Sequence, residues 1–227
     1  MAPLFQSGDL MVRAKICCIT NQDELTLAIS HGAAAVGFIS HMPSGPGVIS
    51  EERIASLVAA TPYPVWSELL TSLTDLPGLL AQYKRLKPGA LQLCQPLALA
   101  VLGELREALP GVTLVHVVHV KDASALAEAR TYAPLVDGLL LDTGDTDGPV
   151  RQLGGTGCTH DWDLDAKIVQ EVMVPVFLAG GLNADNVAEA IATVKPFGVD
   201  VCSGIRTDDQ LDEEKLLRFM SAVRQTS

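Results

Sequence analysis

The chain has 227 residues, 27 of them acidic and 16 basic, and a net charge of −11. Such a field repels nucleic-acid phosphates and anionic membrane surfaces, so neither is an expected partner, and a phosphate ligand would need local grips such as backbone amides. Apolar residues make up 48% but aromatics only 4%, so the core must be aliphatic, and no apolar run reaches the roughly 18 residues of a membrane span.

Residues 1–11 lack periodicity and read as a loose extension, with 12–227 as one domain. From there β-rich and amphipathic stretches alternate. A strand near 12–18 precedes a helix near 22–31, then 35–39 precedes 50–60, 64–67 precedes 75–86, and 90–93 precedes 97–109. The second half continues with a strand near 113–118 and a helix near 122–133, then 137–142 with 163–172, 175–179 with 184–194, and 199–203 with 211–224. Regular β-α alternation predicts a parallel sheet, and eight units at this length predict closure into a single (β/α)8 TIM barrel. An open doubly wound sheet, with about five or six strands, is the alternative. Ser50 is placed to cap the second helix and Asn183 the seventh, while Pro62, Pro64 and Pro175 sit at strand entries, where a missing N–H costs little.

Strand alternation puts Lys15 and Cys17 on one face of the first strand and Cys18 on the other. A lysine is costly against the helix layer, so Lys15 and Cys17 should face the barrel mouth, where an ammonium could lower the thiol pKa. The sixth strand ends in Asp142, at the strand end where barrel enzymes keep catalytic groups. Three glycine clusters follow the last three strands: Gly154-Gly155-Thr156-Gly157, Gly180-Gly181 and Ser203-Gly204. Their freed amides, at the strand ends where barrels often hold phosphate, point to a phosphate site. His116 and His119 are three apart on a strand and cannot easily share a metal. The five cysteines (17, 18, 94, 158 and 202) lack zinc spacing and follow no secretory signal, so reduced thiols in a cytoplasmic protein are expected.

In this order, Lys15-Ile16-Cys17, Gly32-Ala33-Ala34-Ala35-Val36-Gly37-Phe38, Leu141-Asp142-Thr143, Gly154-Gly155-Thr156-Gly157, Asp161-Trp162, Leu178-Ala179-Gly180-Gly181-Leu182-Asn183 and Asp200-Val201-Cys202-Ser203-Gly204 resemble the phosphoribosylanthranilate isomerase family of tryptophan biosynthesis. The resemblance implies a cofactor-free Amadori rearrangement of an N-(5-phosphoribosyl) amine to an aminodeoxyketose phosphate. It implies Asp142 as general acid, Cys17 as general base and Lys15 as a tuner of the thiol. It also implies a cradle for the substrate phosphate made of Gly155, Thr156, Gly157, Gly180, Gly181, Ser203 and Gly204. A cytoplasmic monomer or homodimer acting on a small phosphorylated substrate, with no metal, is the corresponding expectation.

The chain departs from the family pattern in one half. The Ser-Pro-Arg after the second strand reads Ser44-Gly45-Pro46-Gly47, so Gly47 stands where an Arg holds the aromatic acid. Cys94 replaces a His, Cys18 a Gly, and Ile205-Arg206 an acidic residue, while the third strand reads Val65-Trp66-Ser67-Glu68. Arg206 and Lys121 are candidate replacement cations. Two other readings stay open: a same-fold enzyme with a different phosphorylated substrate, and a non-catalytic phosphometabolite-binding paralogue.

Overall fold

A computed structural model describes residues 11–43, 45–143 and 161–226. Except for Met11, the expected extension lies outside them. The first half runs β1 (Arg13–Ile16), α1 (Gln22–Ser30), β2 (Ala35–Ile39), α2 (Glu51–Ala60), β3 (Trp66–Thr71), α3 (Leu76–Leu86), β4 (Ala90–Leu93) and α4 (Leu99–Ala108). The second runs β5 (Thr113–His119), α5 (Ser124–Tyr132), β6 (Gly138–Asp142), α6 (Trp162–Glu171), β7 (Val176–Leu178), α7 (Val187–Val194), β8 (Gly198–Val201) and α8 (Glu213–Gln225). The strands pair in chain order into a closed parallel barrel. Closure is made by β1 on β8, where Lys15 sits opposite Asp200 and Ile16 opposite Val201.

Period-two alternation sorts the aliphatic residues into two layers. Leu91, Leu114, Val118, Leu139, Leu141 and Val199 face outward and pack under the helices, with Ile54, Leu102, Ile168, Val187 and Phe219 from the helix side. Cys17, Leu70, Val115, Val117, Leu140 and Phe177 face inward and fill the barrel. Local signals fix the helix starts. Ser50 accepts a hydrogen bond from the Arg53 amide at 3.3 Å, Asp75 from Gly78 at 2.8 Å, and Asp161 from Asp163 and Leu164.

Three boundaries differ from the sequence reading. β3 runs to Thr71 rather than ending at Ser67, because Trp66 to Leu70 pair in register with Ala35 to Ile39, and the charge at Glu68 interrupts only the apolar pattern. α7 starts at Val187, since Asn183 spends its side chain on the Asp185 amide and closes the preceding turn. A hairpin, β9 (Arg206–Thr207) with β10 (Gln210–Leu211), occupies the expected start of α8, which Asp212 then caps.

One inward layer is polar. Lys15 is about 1% exposed and reaches Asp200 at 3.0 Å, Glu68 at 3.2 Å and the Gln92 side-chain oxygen. Burial opposes the ammonium, but Asp200 and then Glu68 outweigh it and hold the Lys15 pKa above its ordinary value. Two buried carboxylates without their cation are costly. Lys15→Met should therefore lower the unfolding free energy by about 3–5 kcal/mol at pH 8, and by clearly less at pH 5, where the carboxyls can protonate. Urea unfolding at the two pH values checks this.

Candidate active site

The C-terminal ends of the strands surround one cleft that is open to solvent. Cys17 enters from just beyond β1, where its amide extends the ladder to the Val201 carbonyl at 2.9 Å. Gly37 on β2 leaves room for it, because a Cβ there would sit 3.0 Å from the Cys17 sulfur. Asp142 enters from the end of β6, level with His119, and accepts from the Thr143 amide at 2.7 Å. Both line the cleft, as do Gln92, Cys94 and Asp200.

The two expected proton-transfer groups have displaced pKa values. Burial and then the neighbouring Asp200 charge push Asp142 up to about 7, against the pull of the Thr143 hydrogen bond and Lys15. A carboxyl poised there is well matched to general acid work near neutrality. The expectation for Cys17 needs correcting. Burial and Asp200 raise its pKa strongly, and Lys15 only partly offsets them, because that ammonium is shared with two carboxylates. Burial also holds Cys94 up at about 12.

The loops after β7 and β8 carry two of the three glycine clusters. Gly180 and Gly181 line the cleft with left-handed backbone, φ +82° and +62°, and Ser203 lines it beside them. Gly204 adjoins this lining through Ser203 but does not itself line the cleft. A Cβ there would overlap the Leu182 carbonyl, so only glycine lets the two loops touch. Gly155, Thr156 and Gly157, and with them Cys158, lie outside the described residues.

The reduced-thiol expectation fails at Cys18 and Cys202, and the face assignment of Cys18 fails with it. Cys18 and Cys202 form a disulfide, with Cα atoms 6.0 Å apart. The cause is local: Cys18 takes a left-handed backbone, φ +63°, which breaks the strand alternation, and β1 and β8 are neighbours. Cys17 and Cys94 are free thiols.

The rewritten half of the cleft is apolar. Ile39, Met42, Pro46 and Leu70 line it, and the described lining residues include no Lys or Arg. Gly47 and Cys18 fit one another: Gly47 has φ +81°, and a Cβ there would lie 2.8 Å from the Cys18 Cβ. An arginine cannot stand at 47 beside a cysteine at 18. Arg206 is not the replacement cation. It is buried behind the site and bonded to Glu24 and to backbone carbonyls. His116 and His119 part as expected, one to Glu128 at 3.1 Å and the other to the Cys94 carbonyl at 3.1 Å. Among the described residues no group of three or more metal-ligating side chains comes together. Sequence reading missed Glu68 and Gln92. Their inward register with Leu70 and Cys94 was the available signal.

The family model "N-(5'phosphoribosyl)anthranilate (PRA) isomerase" matches residues 14–222. The chain is similar to an N-(5'-phosphoribosyl)anthranilate isomerase of Haloferax volcanii, 39% identical over 218 residues that cover 96% of this chain and 95% of that protein. Its fold matches the phosphoribosyl anthranilate isomerase of Thermotoga maritima with a TM-score of 0.82 and 28% identity, over 95% of this chain and 100% of that one. It also matches such an isomerase solved in complex with reduced 1-(o-carboxyphenylamino)-1-deoxyribulose 5-phosphate, with a TM-score of 0.79 and 26% identity, over 95% and 100% of the two chains.

The displaced pKa values can be read directly. Alkylation of Cys17 by iodoacetamide, followed on its peptide by mass spectrometry, should rise about tenfold per pH unit through pH 10, with no plateau near the ordinary thiol pKa of about 8.5. Asp142 binds its proton more tightly folded than unfolded, so its contribution is lost as pH rises from about 4 to 7. Asp142→Asn should leave stability unchanged at pH 4 and raise it above pH 7, by on the order of 2–4 kcal/mol, in a pH series of thermal unfolding.

Proposed function

The chain belongs to the N-(5'-phosphoribosyl)anthranilate isomerase family and its reaction is the aldose-to-ketose rearrangement of that phosphoribosylamine, within which we propose that Asp142 is the general acid and Cys17 the general base. The observation that carries the reading is that one cleft holds a carboxyl with a pKa of about 7 at the end of β6 and a thiol beyond the end of β1, with the glycine loops of β7 and β8 beside them.

Asp142 gives its proton to the ring oxygen of the ribose, and the C1–O bond breaks to an iminium. Cys17, its own proton released to water in the open cleft, then takes the proton from C2 as the thiolate, and the enolamine becomes the aminoketone. The free thiol is a poor base because burial disfavours the thiolate. The iminium brings a positive charge beside C2, which favours the thiolate in the complex where it is needed. Lys15 adds a smaller pull in the same direction. The asymmetry suits the reaction order, since the acid is ready before the base is called upon. Each proton transfer contributes on the order of 10²–10⁴ in rate.

The substrate phosphate sits on the loops of Gly180, Gly181, Ser203 and Gly204, joined by Gly155, Thr156 and Gly157. The tight contact of Gly204 with the Leu182 carbonyl supports this, because it fixes the two loops as one surface. Binding energy gained there orients the reacting C1–C2 end. The aromatic ring lies against Ile39, Met42 and Leu70. The protein acts in the cytoplasm, as a monomer or homodimer, on a small phosphorylated substrate without metal or nucleic acid. Consistent with that place, no helix among the described residues is long and apolar enough to cross a membrane.

Turnover of freshly made phosphoribosylanthranilate, followed by loss of its fluorescence, tests the assignment. Cys17→Ala and Asp142→Asn should each lower kcat by on the order of 10²–10⁴ with modest change in KM. Either variant retaining full kcat would remove that residue from the mechanism.

A further inference from the structure

The backbone that carries Cys17 is held from behind by a buried ion pair. Arg206 is about 8% exposed and Glu24 about 5%. One guanidinium nitrogen donates to the Glu24 carboxylate at 2.9 Å and to the Asp209 carbonyl at 2.9 Å. The other donates to the carbonyl of Cys17 at 3.2 Å and to that of Cys18 at 2.6 Å. Glu24 in turn accepts from the Thr20 amide at 2.8 Å and from the Leu211 amide at 3.0 Å. The pair therefore ties the β1–α1 loop to the β9–β10 hairpin, with the catalytic strand end between them.

Beyond the ladder bond of the Cys17 amide to the Val201 carbonyl, that strand end is fixed by the Cys18–Cys202 bridge and by Arg206. β1 stops at Ile16, and Cys17 and Cys18 lie beyond the last register pairs of β1 with β2 and β8. Cys18 is a non-glycine residue at φ +63°, a conformation that costs on the order of 1 kcal/mol or more and persists only where its surroundings impose it. One guanidinium nitrogen serves both carbonyls while the second holds Glu24 and the Asp209 carbonyl, a set of four partners that a lysine's single nitrogen cannot match with the same geometry.

We infer that Arg206, fixed by Glu24, is a positioning residue for the isomerisation: by holding the carbonyls of Cys17 and Cys18 it sets the aim of the Cys17 thiol at the C2 proton. It touches no reacting atom. The inference rests on Cys17 being the base.

The test compares Arg206→Gln, Arg206→Lys and the double variant Glu24→Gln/Arg206→Met, which removes both charges and so leaves no buried ion unpaired. Each is assayed with phosphoribosylanthranilate carrying hydrogen or deuterium at C2, with Cys17→Ala as control. A misaimed base lowers kcat by about 10–100-fold with KM within about threefold. It also enlarges the deuterium effect on kcat, because proton abstraction becomes more rate-limiting, and Arg206→Lys should fall between wild type and Arg206→Gln. A merely structural role would lower kcat with the folded fraction and leave the isotope effect unchanged, and that result would overturn the inference. So would folded double variant with wild-type kcat. Full activity in Cys17→Ala would instead overturn the reading of the base, and the positioning role with it.

Discussion

The site depends on one buried cation shared between two carboxylates. Lys15 lies across the barrel floor with Asp200 on the neighbouring strand and Glu68 on β3. Three charges with a net of minus one, sealed from water, are expensive, and the same expense sets the character of the cleft above. Asp200 raises both Asp142 and Cys17, while Lys15 pulls both down. Burial raises Asp142 most and the Asp200 charge adds to it, so without Asp200 the acid would hold its proton less tightly. With only the carboxylates, the barrel interior would hold uncompensated charge.

The apolar half of the site is tightly packed around Cys18. A cysteine at 18 with left-handed backbone occupies the space beside residue 47 and bonds to Cys202, and residue 47 must then be a glycine. Glycine at 47 and cysteine at 18 thus satisfy one packing constraint, and Arg206 secures the carbonyls of that strand end.

The architecture was legible because it rests on local, repeated signals. Alternation of β-rich runs with amphipathic stretches marked eight units, the inward direction of Lys15 and Cys17 followed from strand periodicity, and Asp142 was marked by its place at the end of the sixth strand. What stayed hidden depended on residues far apart in the chain. Arg206 read as a free cation because nothing local ties position 206 to Glu24 or to the Cys17 carbonyl, 189 positions away. The thiols read as reduced because the bridge spans 184 positions and needs the β1–β8 closure to form. Lys15 read as a tuner that would lower the Cys17 pKa, and the direction of its own effect was right, but burial of the thiol and the Asp200 charge, which outweigh it, arise only when the barrel closes.

The contribution of Asp200 to holding the proton on the buried Asp142 is tested most directly by infrared difference spectroscopy. The Asp142 carboxyl band is isolated by subtracting Asp142→Asn, and is followed with pH in the otherwise unaltered chain and in Asp200→Asn. A protonated carboxyl near neutrality that titrates at about 7, and titrates lower once Asp200 loses its charge, is the predicted result. An Asp142 already ionised at pH 5, or one indifferent to Asp200, would contradict it.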